Sequence, residues 1–251
     1  MFDEPYRWVE AVGQRRDYIE EQLKRSSPAI AQSVAEGILF FTFYRRMPKV
    51  FEVYDRIAMG AIGHPADIES ARMMLLNAAH VEGFQRSPKD VTLNRLVLFV
   101  LAPRLKTAFE EVMAPPLIYR SILAEAGPSP ERDTFYLVDY DGNVNQAERQ
   151  MVAAGTESSR ERVLSRLTKS EGFPSLREAL PVLMEAFLYG SLGDEELGID
   201  PSGNWADPEK LKSARKKLFE ESCPNITLLD REKRILVGVN VQDLKKDAGI
   251  S

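Results

Sequence analysis

Residues 29–63 constrain the fold more than any other part of the sequence, because they predict four β-strands within 35 residues. Residues 29–35 and 38–44 are apolar runs rich in β-forming side chains, and only Glu36 and Gly37 separate them. A glycine at this point can take the positive φ that a tight hairpin turn favours. The two runs are therefore predicted to pair as an antiparallel hairpin.

Two further strands are predicted after a short basic connector. Residues 50–57 alternate between apolar and polar side chains, which is typical of a strand with one buried face. Residues 58–63 continue as small, apolar residues that end in Gly63. The four strands together predict the centre of a sheet-rich domain.

The rest of the sequence alternates between helical and strand patterns. Residues 6–25 have the period of an amphipathic helix, with Trp8, Val12, Ile19 and Leu23 on its apolar stripe. Further helices are predicted at residues 64–83, 87–112, 156–167, 175–187 and 207–222. Further strands are predicted at residues 117–124, 133–140, 151–154, 225–231 and 234–241.

Two prolines and a capping-box spacing predict where some of these helices begin, kink or break. Pro103 is predicted to kink or break its helix. Ser175 and Glu178 have the spacing of a capping box, but Pro181 predicts that this helix begins later than the capping box suggests. Residues 190–206 are rich in Gly, Asp, Ser and Asn and predict an exposed loop.

This order of elements predicts an α+β fold, because hairpins precede and follow each helix pair and no βαβ repeat is present. The simplest architecture is a four-layer αββα sandwich, in which two mostly antiparallel sheets stack face to face between helix pairs. Residues 1–251 are predicted to form a single domain, with an N-terminal helix within residues 1–25 and an insertion at residues 190–222.

The charge and cysteine content narrow the class of protein. The net charge is -5 with both signs interspersed, whereas nucleic-acid binding needs a clustered positive excess. The run Arg215, Lys216 and Lys217 is interpreted as a solvated helix face. A single cysteine, no signal-peptide core and no apolar run of membrane-spanning length predict a cytoplasmic protein without a nucleic-acid or membrane partner.

The residue types that serve most often in catalysis and metal binding do not form a known catalytic or metal-binding motif in this sequence. His64 and His80 lie sixteen residues apart across one predicted helix, which places them on nearly opposite faces. Asp139 and Asp141 flank a turn, where aspartates commonly accept backbone hydrogen bonds, so a catalytic carboxylate pair is the minor interpretation. We predict no metal and no cofactor.

One resemblance covers residues 6–190 and the last strand pair. The hairpin at residues 29–41, the strand after Lys49 and the small-residue strand ending at Gly63 resemble the core of 20S proteasome subunits, which have the Ntn-hydrolase fold. Residues 139–143 (DYDGN) resemble the DP.G turn of that family. Residues 153–157 (AAGTE) resemble its A.G.G segment, with the second glycine replaced.

Within this family the residues favour the α-type subunit over the catalytic β-type. Ser27 matches the position of the β-type nucleophilic threonine, but Ser26 replaces the glycine that self-processing favours, and Pro28 follows. The predicted helix at residues 6–25 resembles the N-terminal helix of α-type subunits, and its sequence PYRWVEAVGQRR is most similar to bacterial ones. The resemblance implies a bacterial α-type subunit that is not itself an enzyme.

The resemblance also implies partners and binding residues. Alpha-type subunits of the family form seven-membered rings that cap rings of β subunits, gate the passage of unfolded protein substrates and bind a hexameric ATPase or another activator. By position, Lys49 would bind the C-terminal carboxylate of the activator, and Gly63 would line the same pocket. The implied pore gate consists of Phe2, Asp3, Glu4 and Pro5.

Two alternatives remain open. A diverged self-processing hydrolase would use Ser27 as its nucleophile, and its mature chain would begin at that residue. A stand-alone interaction domain on the same fold would stay monomeric.

Overall fold

Ten β-strands form two five-stranded sheets in the computed structural model, which describes residues 5–167, 172–192 and 208–247. The strands are β1 (Ala29–Val34), β2 (Gly37–Tyr44), β3 (Val50–Tyr54), β4 (Ile57–Gly63), β5 (Tyr119–Glu125), β6 (Thr134–Asp139), β7 (Val144–Ala147), β8 (Gln150–Ala153), β9 (Cys223–Asp230) and β10 (Leu236–Gly238). The first sheet has the order β10-β9-β2-β1-β8 and the second β3-β4-β5-β6-β7. Neighbouring strands pair antiparallel throughout, as predicted.

The described helices are α1 (Pro5–Leu23), α2 (Pro65–Gln85), α3 (Leu93–Arg95), α4 (Ala102–Glu110), α5 (Glu157–Leu167), α6 (Leu176–Ser191), α7 (Pro208–Glu221) and α8 (Gln242–Asp247). Helices α2–α8 cover the outer faces of the two sheets, whereas α1 packs against the cluster between the sheets. Leu75 of α2 packs on the second sheet, and Phe187 of α6 packs on the first. Phe40 and Ile122, from opposite sheets, belong to a third cluster between them. This is the predicted αββα sandwich.

The β1–β2 hairpin is present, but Gly37 has a different role from the one predicted. Val34 pairs with Gly37, and Gly37 is not among the glycines with positive φ. Instead, a Cβ built on Gly37 would lie 2.1 Å from the carbonyl oxygen of Leu229 in β9. Glycine is therefore required here because the backbone of β9 approaches closely.

The N-terminal helix is part of the core. Ile19 and Leu23 of α1 are buried in the cluster between the sheets, and Val12 packs against it. The guanidinium of Arg15 donates to the carbonyl oxygens of Ala114 and Ala108, at 2.7 and 2.9 Å. The predicted apolar stripe is wrong at one position, because Trp8 is 52% exposed near the start of the helix.

Two prolines behave differently from each other. A π-helical stretch, Leu96–Leu101, joins α3 to α4 just before Pro103, so the hydrogen-bond pattern changes there, but the chain stays helical through Pro103 and the predicted break is absent. The capping box of Ser175 and Glu178 is confirmed. However, α6 begins at Leu176 and runs through Pro181, so the prediction of a later start is wrong. Pro181 lies on an exposed side of the helix, where water can satisfy the carbonyl that it leaves without a partner.

The predicted insertion at residues 190–222 is described only in part, since residues 193–207 lie outside the described residues. Gly190, assigned to a loop from its sequence, lies buried in α6, where an added Cβ would approach Val163 Cγ2 to 2.3 Å. Helix α7 packs on the layer above the first sheet, and the ring of Phe219 contacts that of Phe43 edge-on at 5.3 Å between centroids.

Within residues 5–167, 172–192 and 208–247, no helix has both the length and the apolar character needed to cross a bilayer.

Candidate functional site

Lys49 lies directly before β3, at the end of the sandwich where β2 and β4 finish and β1 and β9 begin. Asn225 of β9 fixes its backbone: the Asn225 Oδ1 atom accepts the N–H groups of Lys49 and Val50, at 2.7 and 2.9 Å. The carbonyl of Lys49 accepts the N–H of Ala61 at 2.8 Å. Contacts from both sheets therefore hold this residue in place.

The ammonium of Lys49 is directed at Ser27. Its Nζ atom donates to the carbonyl oxygen of Ser27 at 3.1 Å and lies 2.6 Å from Ser27 Oγ. The Ser27 hydroxyl donates in turn to the carbonyl oxygen of Phe43 at 3.3 Å. Burial lowers the pKa of Lys49 to about 8, because removal from water disfavours the charged form.

Ser27 belongs to the link between α1 and β1, which is itself packed. The N–H of Ser26 donates to the carbonyl of Leu23 at 2.8 Å. A Cβ built on Gly155 would lie 2.1 Å from the Leu23 carbonyl oxygen, so the end of α1 rests against the backbone that follows β8. Ser27 therefore directly follows a stretch of backbone that these contacts hold in place at the end of α1.

Gly63 ends β4 with a φ of 130°, a left-handed conformation that favours glycine. An added Cβ would also lie 2.1 Å from the carbonyl oxygen of Ile118. Gly63 and Lys49 line the same cleft, so the structure brings together the two residues predicted to share a pocket. Their role in binding an activator stays a prediction.

The cleft has a volume of about 1170 Å³, and we call it the basic cleft. Lys49 and Gly63 lie on one side of it, together with the connector at residues 45–48. Helix α7 lies on another side and contributes Lys210, Lys217 and Glu221. The cleft is therefore a concave surface with lysines and arginines on more than one structural element.

The predicted pore gate falls at the edge of what the structure covers. Phe2, Asp3 and Glu4 lie outside the described residues. Pro5 is the first residue of α1. The gate thus stays a prediction from the sequence.

The residues that hold α1 against the second sheet form no recognisable motif in the sequence and were not predicted. Arg120 of β5 forms ion pairs with Asp139 at 2.8 Å and with Glu20 of α1 at 3.0 Å. It also donates to the carbonyl of Ala154 at 2.7 Å, and the hydroxyl of Tyr140 donates to Glu20 at 2.8 Å. The only signal in the sequence was a charged residue inside an apolar strand, which does not identify its partners.

The two aspartates considered as a carboxylate pair have separate structural contacts. Burial raises the pKa of Asp139, although the neighbouring cation Arg120 opposes this shift. Asp141 Oδ1 accepts the N–H of Asn143 at 3.0 Å within the turn. Among the described residues, no group of three or more His, Cys, Asp or Glu side chains is arranged to hold a metal ion.

Comparison with known proteins gives the family. No family model matches the chain. A proteasome subunit alpha of Actinosynnema mirum is 32% identical over 202 residues, which span 80% of this chain and 72% of that protein. A proteasome subunit alpha of Acidothermus cellulolyticus is 29% identical over 191 residues, which span 74% of this chain and 80% of that protein. One of Jonesia denitrificans is 29% identical over 184 residues, which span 72% of this chain and 76% of that protein. The chain belongs to the family of proteasome α subunits.

Proposed function

We propose that this protein is a non-catalytic subunit of a bacterial 20S proteasome, and that it forms a seven-membered outer ring that gates substrate access and binds an activator. The observation that carries the proposal is the position of α1, which precedes β1 and contributes Ile19 and Leu23 to the core. In this account peptidase activity belongs to the β subunits, and unfolded proteins pass through the ring on their way to them.

The packing of α1 is the reason for proposing a non-catalytic subunit. An N-terminal nucleophile uses its own free amine as the base, so Ser27 would need cleavage of the preceding peptide bond. Cleavage would detach Ile19 and Leu23, and burying each such side chain contributes about 1.5–3 kcal/mol. It would also remove Glu20 from Arg120. Self-processing would therefore cost this fold part of its core.

Exposed apolar side chains support assembly with partners. On the helical layer over the second sheet, Phe84 is 93% exposed and Phe99 is 75% exposed. On α1, Trp8 and Val9 are also exposed. Large apolar side chains in contact with water often mark protein interfaces. We propose that Phe84 and Phe99 contact the ring of β subunits. Trp8 and Val9 then contact the neighbouring α subunit.

A double substitution tests the assignment to the β ring. Phe84→Ser with Phe99→Ser is expected to abolish co-purification with β subunits of the same organism, while circular dichroism stays unchanged because both side chains are exposed. Ile235→Ser, which alters an exposed residue close to β10, is the control and retains binding. Normal binding by the double variant would contradict the assignment.

Lys49 and Gly63 are proposed to receive the C-terminal carboxylate of a hexameric ATPase or another activator. A lysine ammonium that lines a cleft suits a terminal carboxylate, and charge-assisted hydrogen bonds of this kind are short and strong. In particles assembled with β subunits, Lys49→Ala is expected to lose stimulation of peptide hydrolysis by the activator but to retain assembly. Lys212→Ala is the matched control. Full stimulation of the Lys49 variant would contradict the proposed role.

The N-terminal residues Phe2, Asp3, Glu4 and Pro5 are proposed as the pore gate. Deleting residues 2–5 is expected to raise the basal hydrolysis of peptides by the assembled particle without activator. An unchanged basal rate, with an intact particle, would contradict a gating role for this segment.

One observation favours the self-processing alternative. The distance of 2.6 Å between Lys49 Nζ and Ser27 Oγ places a lysine directly beside the hydroxyl that this alternative uses as its nucleophile. The mass of the purified chain separates the two hypotheses. Our proposal expects a chain that retains the residues before Ser27, whereas the alternative requires a chain that begins at Ser27. A monomer that binds no β subunit would instead favour a stand-alone interaction domain.

A further inference from the structure

The basic cleft has the opposite charge to the rest of the molecule. The chain carries a net charge of -5, yet among the described residues eight basic and only three acidic side chains line the cleft. Glu69 pairs with Arg72 at 2.7 Å, Glu221 pairs at 2.8 Å with Arg45, which is one of the eight basic residues, and Glu209 also has an interaction partner. The described lining of the cleft therefore has a net positive charge, which favours an anionic ligand.

Two lysines of α7 supply much of this excess in a regular arrangement. Lys210 and Lys217 line the cleft, are exposed, and form no ion pair with any described residue. They are seven residues apart, which is two turns along one side of a helix, or about 10 Å. Arg46, on the connector before β3, is also exposed and unpaired within the same described parts of the chain.

We propose that the basic cleft selects activator tails that carry two acidic side chains about three residues apart, upstream of the terminal carboxylate. This inference rests on the proposed docking role of the cleft. Three residues of an extended peptide span about 10 Å, which matches the separation of the two lysines along α7. In this arrangement the terminal carboxylate binds Lys49, and the acidic side chains bind Lys210 and Lys217.

The test uses three fluorescein-labelled peptides of ten residues and the full-length protein. The first peptide has two glutamates three positions apart and ends in leucine with a free carboxylate. The second replaces both glutamates with glutamine, and the third is the first with an amidated C-terminus. Fluorescence anisotropy gives the dissociation constant of each peptide.

The glutamate peptide is expected to bind roughly fivefold more tightly than the glutamine peptide, as expected for two exposed ion pairs. Lys210→Ser with Lys217→Ser is expected to remove this difference. Lys212→Ser with Lys216→Ser is the matched control, because these lysines belong to the same helix but do not line the cleft. The control is expected to keep the fivefold preference.

The outcomes separate this inference from the function on which it rests. Equal affinity for the first two peptides, with weaker binding of the amidated peptide, would overturn the acidic preference and leave carboxylate docking intact. Amidation without effect would overturn docking of the carboxylate, and no binding of any peptide would overturn both. Displacement of the glutamate peptide by an oligothymidylate at equal concentration would overturn the assignment to a peptide tail.

Discussion

Replacing Lys49 with methionine is expected to stabilise the protein at neutral pH. Burial lowers the pKa of Lys49 from its ordinary value of 10.5 to about 8. At about 1.4 kcal/mol for each pH unit, the folded state carries a cost of roughly 3 kcal/mol for holding the ammonium away from water. The lost hydrogen bonds to Ser27 offset about 1 kcal/mol of the gain. Lys49→Met should therefore raise the free energy of unfolding by about 2 kcal/mol at pH 7.

The pH dependence has a definite sign. Between pH 8 and 10.5, Lys49 is neutral in the folded state and charged in the unfolded state, so the unfolded state binds more protons. The free energy of unfolding of the wild type therefore rises with pH in this window. This gain in the free energy of unfolding is lost again as the pH falls from 10.5 to about 8. Because the variant lacks this dependence, its stability advantage over the wild type should shrink by about 1.4 kcal/mol for each unit by which the pH rises within this window.

Urea unfolding followed by circular dichroism at pH 7, 8, 9 and 10 measures this difference. Lys212→Met, which removes an exposed lysine, is the matched control and should keep the wild-type profile. A constant difference between wild type and Lys49→Met from pH 7 to pH 10 would refute the reasoning, because it would mean that the Lys49 ammonium is solvated in the folded state.

Three further substitutions test the packing around the cleft and the core by thermal and urea unfolding. Leu23→Ala should lower the free energy of unfolding by about 2–5 kcal/mol, since the side chain is fully buried; a change below about 1 kcal/mol would contradict the core position of α1. Gly63→Ala should cost about 1–3 kcal/mol, because its φ is positive and Ile118 leaves no room; wild-type stability would contradict this. Asp133→Asn should cost about 3–5 kcal/mol, because it leaves Arg231, 2.6 Å away, without its buried partner; a neutral effect would mean that the pair is solvated.

Elements with local signals could be predicted from the sequence. The β1–β2 hairpin follows from two apolar runs joined by a short turn, and the capping box of Ser175 and Glu178 depends on a fixed spacing of three residues. The same kind of reasoning failed at Gly37, where the reason for glycine is the approach of β9 from a distant part of the sequence. A local pattern identifies the residue type, whereas the neighbouring strand determines its role.

The missed features depend on contacts between distant residues. Strand β7, Val144–Ala147, has two polar residues between two apolar ones and lies at the edge of the second sheet, so it has no apolar alternation to reveal it. The sequence resemblance aligned Lys49 and Ser27 with known positions, but it did not show that their side chains touch. Asn225, which fixes the backbone of Lys49, is 176 residues away from it. Its role follows only from the pairing of β9 with β2.

Native mass spectrometry of the full-length protein mixed with β subunits of the same organism tests the central claim most directly. The account expects intact chains of 28.3 kDa in rings of roughly 200 kDa, seven copies each, stacked on rings of β subunits. Chains that begin at Ser27, or intact monomers that bind no β subunit, would contradict it.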